Sequence, residues 1–130
     1  MLLVKHMMIK NVITASPNMT VKATIKTLYE KHIGSVVSID EDKKCIGIFT
    51  ERDAIRLVAK NVQLDQTLDK VMTKNVVTVK EDASINEVRE IICTHQIRHL
   101  PVVNQEDKLV GLLSVRNVCD QFFGLNAQIC

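Results

Sequence analysis

Apolar positions along this chain fall into two alternating rhythms, and the rhythms come round twice. Val21, Thr24, Ile25 and Leu28 stand three and four residues apart, the spacing that lays one apolar stripe along a helix starting near Thr20. Val88, Ile91 and Ile92 repeat that spacing, ahead of His95, after Ser84-Ile85-Asn86-Glu87, a capping-box sequence. Between the helices come short apolar runs that read as strands, 35–39 and 45–49 in the first set and 100–103 and 109–113 in the second. Polar loops of hairpin length, 40–44 and 104–108, join the members of each pair. Shorter β-branched runs at 12–15 and 76–79 are expected to open each set as strands. A closing helix is expected over 51 to about 60 and again over 115 to about 123, with Gly124 marking the last stop. The pattern predicts β-α-β-β-α twice over, an α+β fold.

The two sets are copies of one unit. Shifting the chain by 64 positions lays Met8-Ile9-Lys10-Asn11-Val12-Ile13-Thr14 on Met72-Thr73-Lys74-Asn75-Val76-Val77-Thr78, and the alignment runs to Asp53 on Asn117 without a gap. About nine of the 46 aligned positions are identical, and apolar residues pair with apolar ones: Val21 with Ile85, Leu28 with Ile92, Val36 with Leu100, Ile48 with Leu112. The expected division is a first repeat at 4–60, a linker at 61–67 and a second repeat at 68–123.

The most informative stretch is Gly47-Ile48-Phe49-Thr50-Glu51-Arg52-Asp53, echoed by Gly111-Leu112-Leu113-Ser114-Val115-Arg116-Asn117. One reading is a strand-to-helix corner in which Thr50 caps the helix and Asp53 reaches back to the cap. The other is a nucleotide site. Free N–H groups and an arginine favour phosphate at a helix N-terminus, and a carboxylate accepts from both ribose hydroxyls.

Composition narrows the partners. At 130 residues, 46% apolar and 25% charged, the chain is globular in character and long enough to bury a core. It contains no apolar run of membrane-spanning length. A net charge of +2 and 3% aromatic residues, with none interleaved among the basic ones, argue against nucleic acid. Cys45, Cys93, Cys119 and Cys130 are scattered singly, so no zinc or other metal site is expected. With no signal-peptide pattern at the start, a reducing cytoplasm and four free thiols are the expectation. No catalytic residue is assigned, because H-E-x-x-H, Walker and G-x-S-x-G patterns are all missing from the sequence. His6, His32 and His95 are read as structural, and the methionines as packing.

"MIKNVIT…IGSVVSIDEDKKCIGIFTERD" followed by "MTKNVVT…IRHLPVVNQEDKLVGLLSVRN" resembles a pair of cystathionine-β-synthase (CBS) domains, the regulatory tandem called a Bateman module. The resemblance covers nearly the whole chain. It implies two repeats about a pseudo-twofold axis, a homodimer formed through the helices, and adenosine-containing ligands in clefts between the copies. Carried over by position, Thr50 and Asp53 match the ribose-binding hydroxyl and acid, with Ser114 and Asn117 in their places in the second copy. Thr14 and Thr78 match positions that hold the base. Gly34 and Ser35 leave room for close approach to backbone, whereas the second copy there has Arg98, His99, Leu100 and Pro101. Arg98 and His99 match positions whose basic side chains reach phosphate, and Arg52 and Arg116 can add to them. Asn117 departs from the pattern, because an amide brings no charge, which makes the second site the weaker. Apolar residues on the closing helices, Ile55, Val58, Val118, Phe122 and Phe123, are expected to bury the dimer interface. The implied function is a non-enzymatic sensor with no obligatory cofactor, an adenine nucleotide or related adenosyl compound as regulatory ligand, and an effector protein as output. The rival reading is a ligand-free dimerisation module.

Overall fold

Helix caps and hairpin loops fix most of the element boundaries in the computed structural model, which describes residues 2–122. The expected helix end at Phe123 and stop at Gly124 lie outside the described residues, as do the side chains of residues 120–122. The chain forms two compact units, one built from residues 13–76 and the other from the residues up to 12 together with those from 77 onward.

In the 13–76 unit, α1 (Val21–Lys31) starts at Thr20, whose hydroxyl accepts from the Ala23 N–H at 3.1 Å, and stops at His32 in the left-handed region, φ 54°. β1 (Ser35–Ile39) pairs antiparallel with β2 (Cys45–Thr50), and α2 (Glu51–Ala59) follows without a break. The strand expected at 12–15 is reduced to one parallel bridge, Thr14 beside Val37. Two features beside Ala15 account for this. The Ser38 hydroxyl donates to the Ala15 carbonyl at 2.7 Å, and Pro17, two residues on, has no N–H to extend a ladder.

The other unit contains β3 (Val79–Lys80), α3 (Ile85–His95), β4 (His99–Val103), β5 (Leu109–Ser114) and α4 (Val115–Phe122). β3 pairs parallel with β4, and β4 antiparallel with β5, giving the order β3-β4-β5. The strand expected at 76–79 therefore forms as two residues at its C-terminal edge. α3 uses the Ser84 half of the expected capping box, the hydroxyl accepting from the Glu87 N–H at 3.3 Å.

The backbone keeps the 64-residue shift in detail. Left-handed residues recur at His32 and Gln96 and at Lys43 and Asp107, and the hairpins slip register at Ser38/Ile39 and at Val102/Val103.

Each unit is completed by residues that, in sequence, open the other repeat. Leu68 and Met72 are buried with Val21, Val36, Phe49 and Leu57, and Thr73 exchanges both backbone hydrogen bonds with Ile48 on β2 at 3.0 Å. Val4 and Met7 are buried with Val88, Ile92, Leu100 and Leu113, and Ile9 exchanges both bonds with Leu112 on β5 at 2.8 and 2.9 Å. These segments pair with otherwise open strand edges. They also account for the glycines of the two motif stretches: a Cβ on Gly47 would run into the Met72 side chain, and one on Gly111 into that of Met8. The 61–67 segment is docked too, with the Val21 and Lys22 N–H groups donating to the Gln66 and Leu64 carbonyls at 2.9 and 2.8 Å.

Val118 belongs to the core of its unit at 2% exposure, which corrects its expected place on an outer face, whereas Ile55 and Val58 on α2 are 69% and 62% exposed. Among the described residues no helix is long and apolar enough to cross a membrane.

Candidate functional site

The first motif stretch folds into a corner at one end of the β1–β2 hairpin. Ser35 lies opposite Thr50 in the ladder, the Glu51 N–H donates to the Gly34 carbonyl at 2.9 Å, and Thr14 bridges to β1 at Val37. Gly34, Ser35 and Thr50 thus meet at a single strand end, with α2 leaving from it, while Thr14 stands beside the middle of β1.

Thr50 is an extended N-cap, φ −118° and ψ 165°, and its hydroxyl accepts from the Asp53 N–H at 3.3 Å. The Asp53 carboxylate answers: Oδ2 accepts from the Thr50 N–H at 2.9 Å and from the Thr50 hydroxyl at 3.2 Å. Its other oxygen, Oδ1, accepts from Arg56 Nη1 at 2.8 Å. Asp53 is only 8% exposed, and these donors offset the water that its carboxylate has lost on burial. Arg56 escaped the motif reading although its signal, a base three residues after the acid on one helix face, lies in the sequence.

Ser35 adds a second polar group. It is buried, and its hydroxyl has no hydrogen-bond partner among the described residues, an exception to the pairing of buried polar atoms. Thr14 and Arg52 are exposed, and Arg52 makes no ion pair among the described residues.

The second corner has the same frame with different chemistry. His99 lies opposite Ser114, and the Val115 N–H donates to the Arg98 carbonyl at 2.9 Å. The Ser114 hydroxyl accepts from the Asn117 N–H at 3.1 Å, while the Asn117 amide group makes no return bond among the described residues. Arg98 and Arg116 are exposed, Pro101 is buried opposite Leu112, and Thr78 stands one residue before β3.

Among the described residues no group of three or more His, Cys, Asp or Glu side chains is placed to hold a metal. The free thiol of Cys45 is pushed up to about 11 by burial, with Asp40 adding to the effect, so it is protonated and a poor nucleophile at neutral pH. Cys119 is free and buried, whereas Cys93 is disulfide-bonded, which corrects the expectation of four free thiols.

Comparison with known proteins matches the family model described as "CBS domain" at residues 4–60 and again at 68–124. A 17.7 kDa protein of Acidianus ambivalens, described as uncharacterised, is 36% identical over 107 residues, which cover 82% of this chain and 65% of that protein. The chain therefore spans slightly less than two thirds of that relative. The solved CBS domain pair of protein MJ0100, in complex with 5′-methylthioadenosine and S-adenosyl-L-methionine, superposes with a TM-score of 0.86 at 30% identity, covering 95% of this chain and 97% of that one. CBS domain protein PAE2072 from Pyrobaculum aerophilum, complexed with AMP, gives a TM-score of 0.84 at 26% identity, with 91% of each chain covered.

Proposed function

Because the chain belongs to the CBS-domain family and carries the domain twice in tandem, we propose that it is a non-enzymatic sensor of an adenosine-containing ligand, acting through an effector protein. The observation that carries this reading is the Thr50–Asp53 corner, where a buried carboxylate and a hydroxyl sit at a helix N-terminus beside the unpartnered Ser35 hydroxyl. A carboxylate suits a ribose diol, and the N-terminus of α2 suits phosphate. The adenosyl ligands of the two solved relatives support the same chemistry here.

Within this reading Thr50 and Asp53 take the ribose, Thr14 and Thr78 lie against the base, and Gly34 and Ser35 allow close approach. Arg98 supplies positive charge and His99 a ring N–H donor for phosphate, with Arg52 and Arg116 as further donors. The Ser114–Asn117 corner is the weaker site, since a neutral amide replaces the carboxylate. We also propose a homodimer, for which the exposed Ile55 and Val58 of α2 supply part of the apolar surface.

One observation favours the rival, a ligand-free dimerisation module: Asp53 is already satisfied by Thr50 and Arg56, as a purely structural cap would be. A thermal-shift panel separates the two. AMP, ADP, ATP, NAD and S-adenosylmethionine are each titrated, and a true ligand at a hundred times its dissociation constant adds about 2.7 kcal/mol of stability. AMP should exceed adenosine if Arg98 and His99 meet phosphate. No stabilisation by any member leaves the rival standing.

A further inference from the structure

A carboxylate offers about four lone-pair positions, and at Asp53 three are occupied. Oδ2 takes the Thr50 N–H and the Thr50 hydroxyl, and Oδ1 takes Arg56. One position remains, so the resting corner can accept from one ribose hydroxyl but not from two. We propose that Arg56 is a latch on the ribose-accepting carboxylate, which must let go of Asp53 before both hydroxyls of a ribose can bind. This rests on the reading of the corner given above and adds its control.

The identity of the moving partner follows from the three donors. The Thr50 N–H belongs to the backbone of the cap and cannot leave without undoing the first turn of α2. The Thr50 hydroxyl is held from both sides, donating to Asp53 Oδ2 and accepting from the Asp53 N–H. Arg56 is different: its side chain is 44% exposed, against 11% for that of Asp53, so the guanidinium has water to move into while the carboxylate does not. Departure of Arg56 would by itself strand a buried charge, which is costly. Of two ribose O–H groups arriving as it leaves, one takes the freed position, replacing the lost donor, and the other takes the position that was already open. The guanidinium therefore competes directly with the diol, and the helical spacing from 53 to 56 keeps it poised to do so.

The second copy has no such device. Asn117 stands in place of Asp53, and by the 64-residue shift Asp120 stands in place of Arg56. The two corners differ in control as well as in strength.

Adenosine is the probe of choice, since it has the diol but no phosphate for Arg56 to attract. Its affinity is measured by calorimetry for the full chain and for Arg56→Met, which keeps most of the stem and removes the charge. The latch predicts about three- to fivefold tighter binding by Arg56→Met, the equivalent of about 0.7–1 kcal/mol, as expected for releasing a half-exposed pair. It also predicts that wild-type affinity for this neutral ligand rises with added salt, which screens the pair, while the variant shows a flat response. That salt series needs no substitution, so it stands even where Arg56→Met is unstable. Unchanged or weaker binding by the variant, or a flat salt series in the wild type, overturns the latch. Asp53→Asn separates the premises: if it leaves adenosine affinity untouched, the corner is not the ribose site and the proposed function falls with the latch. If Asp53→Asn weakens binding while Arg56→Met changes nothing, only the latch falls.

Discussion

Thr50 and Ser114 occupy equivalent cap positions, yet they carry different numbers of bonds. The Thr50 hydroxyl accepts from the Asp53 N–H and donates to the carboxylate, whereas the Ser114 hydroxyl is joined to the Asn117 N–H alone among the described residues. Thr50→Ala should therefore cost about 1–2 kcal/mol and Ser114→Ala only about 0.5–1 kcal/mol. Urea midpoints of the two variants check this, and equal costs contradict the asymmetry. The capping box was legible in the sequence because both of its bonds span three residues. Arg56 lies at the same short range and went unread because the motif ends at Asp53. The burial of Ser35 was beyond reach for another reason: whether a hydroxyl at a strand end is covered depends on packing from residues distant in sequence.

Hairpins and helix starts were the elements easiest to read. Five-residue polar loops at 40–44 and 104–108 bound β1, β2, β4 and β5 closely, and Thr20, Thr50 and Ser84 all act as N-caps. The leading strands were not legible as such, since the Ser38 hydroxyl that occupies the Ala15 carbonyl is a long-range contact. Nor did the linear repeat reveal that Met8 and Met72 pack on the glycines of the opposite repeat. That packing makes a sharp prediction about β2. Gly47→Ala should destabilise by about 1–3 kcal/mol through overpacking, and Met72→Ala by about 2–5 kcal/mol through the cavity it leaves. The double variant should cost clearly less than the sum, because the methyl added at 47 fills space vacated at 72. Strict additivity in thermal unfolding would show that the two residues do not meet.

For the whole molecule, the repeat and the family were legible together, because a gapless shift of 64 preserves the apolar positions that build both cores. The composition of the two units was not, since each borrows its last core residues from the start of the other repeat. The exposed Ile55 and Val58 lead to the expectation of a dimer mass in sedimentation at micromolar concentration, and a monomer mass would remove the homodimer proposal. The central claim, that the Thr50–Asp53 corner binds the ribose of an adenosine-containing ligand, is tested most directly by calorimetric titration of AMP into the wild type and Asp53→Ala, with melting recorded for both. The account predicts a loss of about 1.5–3 kcal/mol in AMP affinity, the range for hydrogen bonds to a charged group, alongside about 1 kcal/mol of lost stability from the cap. An Asp53→Ala protein that melts lower but binds AMP as tightly as the wild type would contradict it.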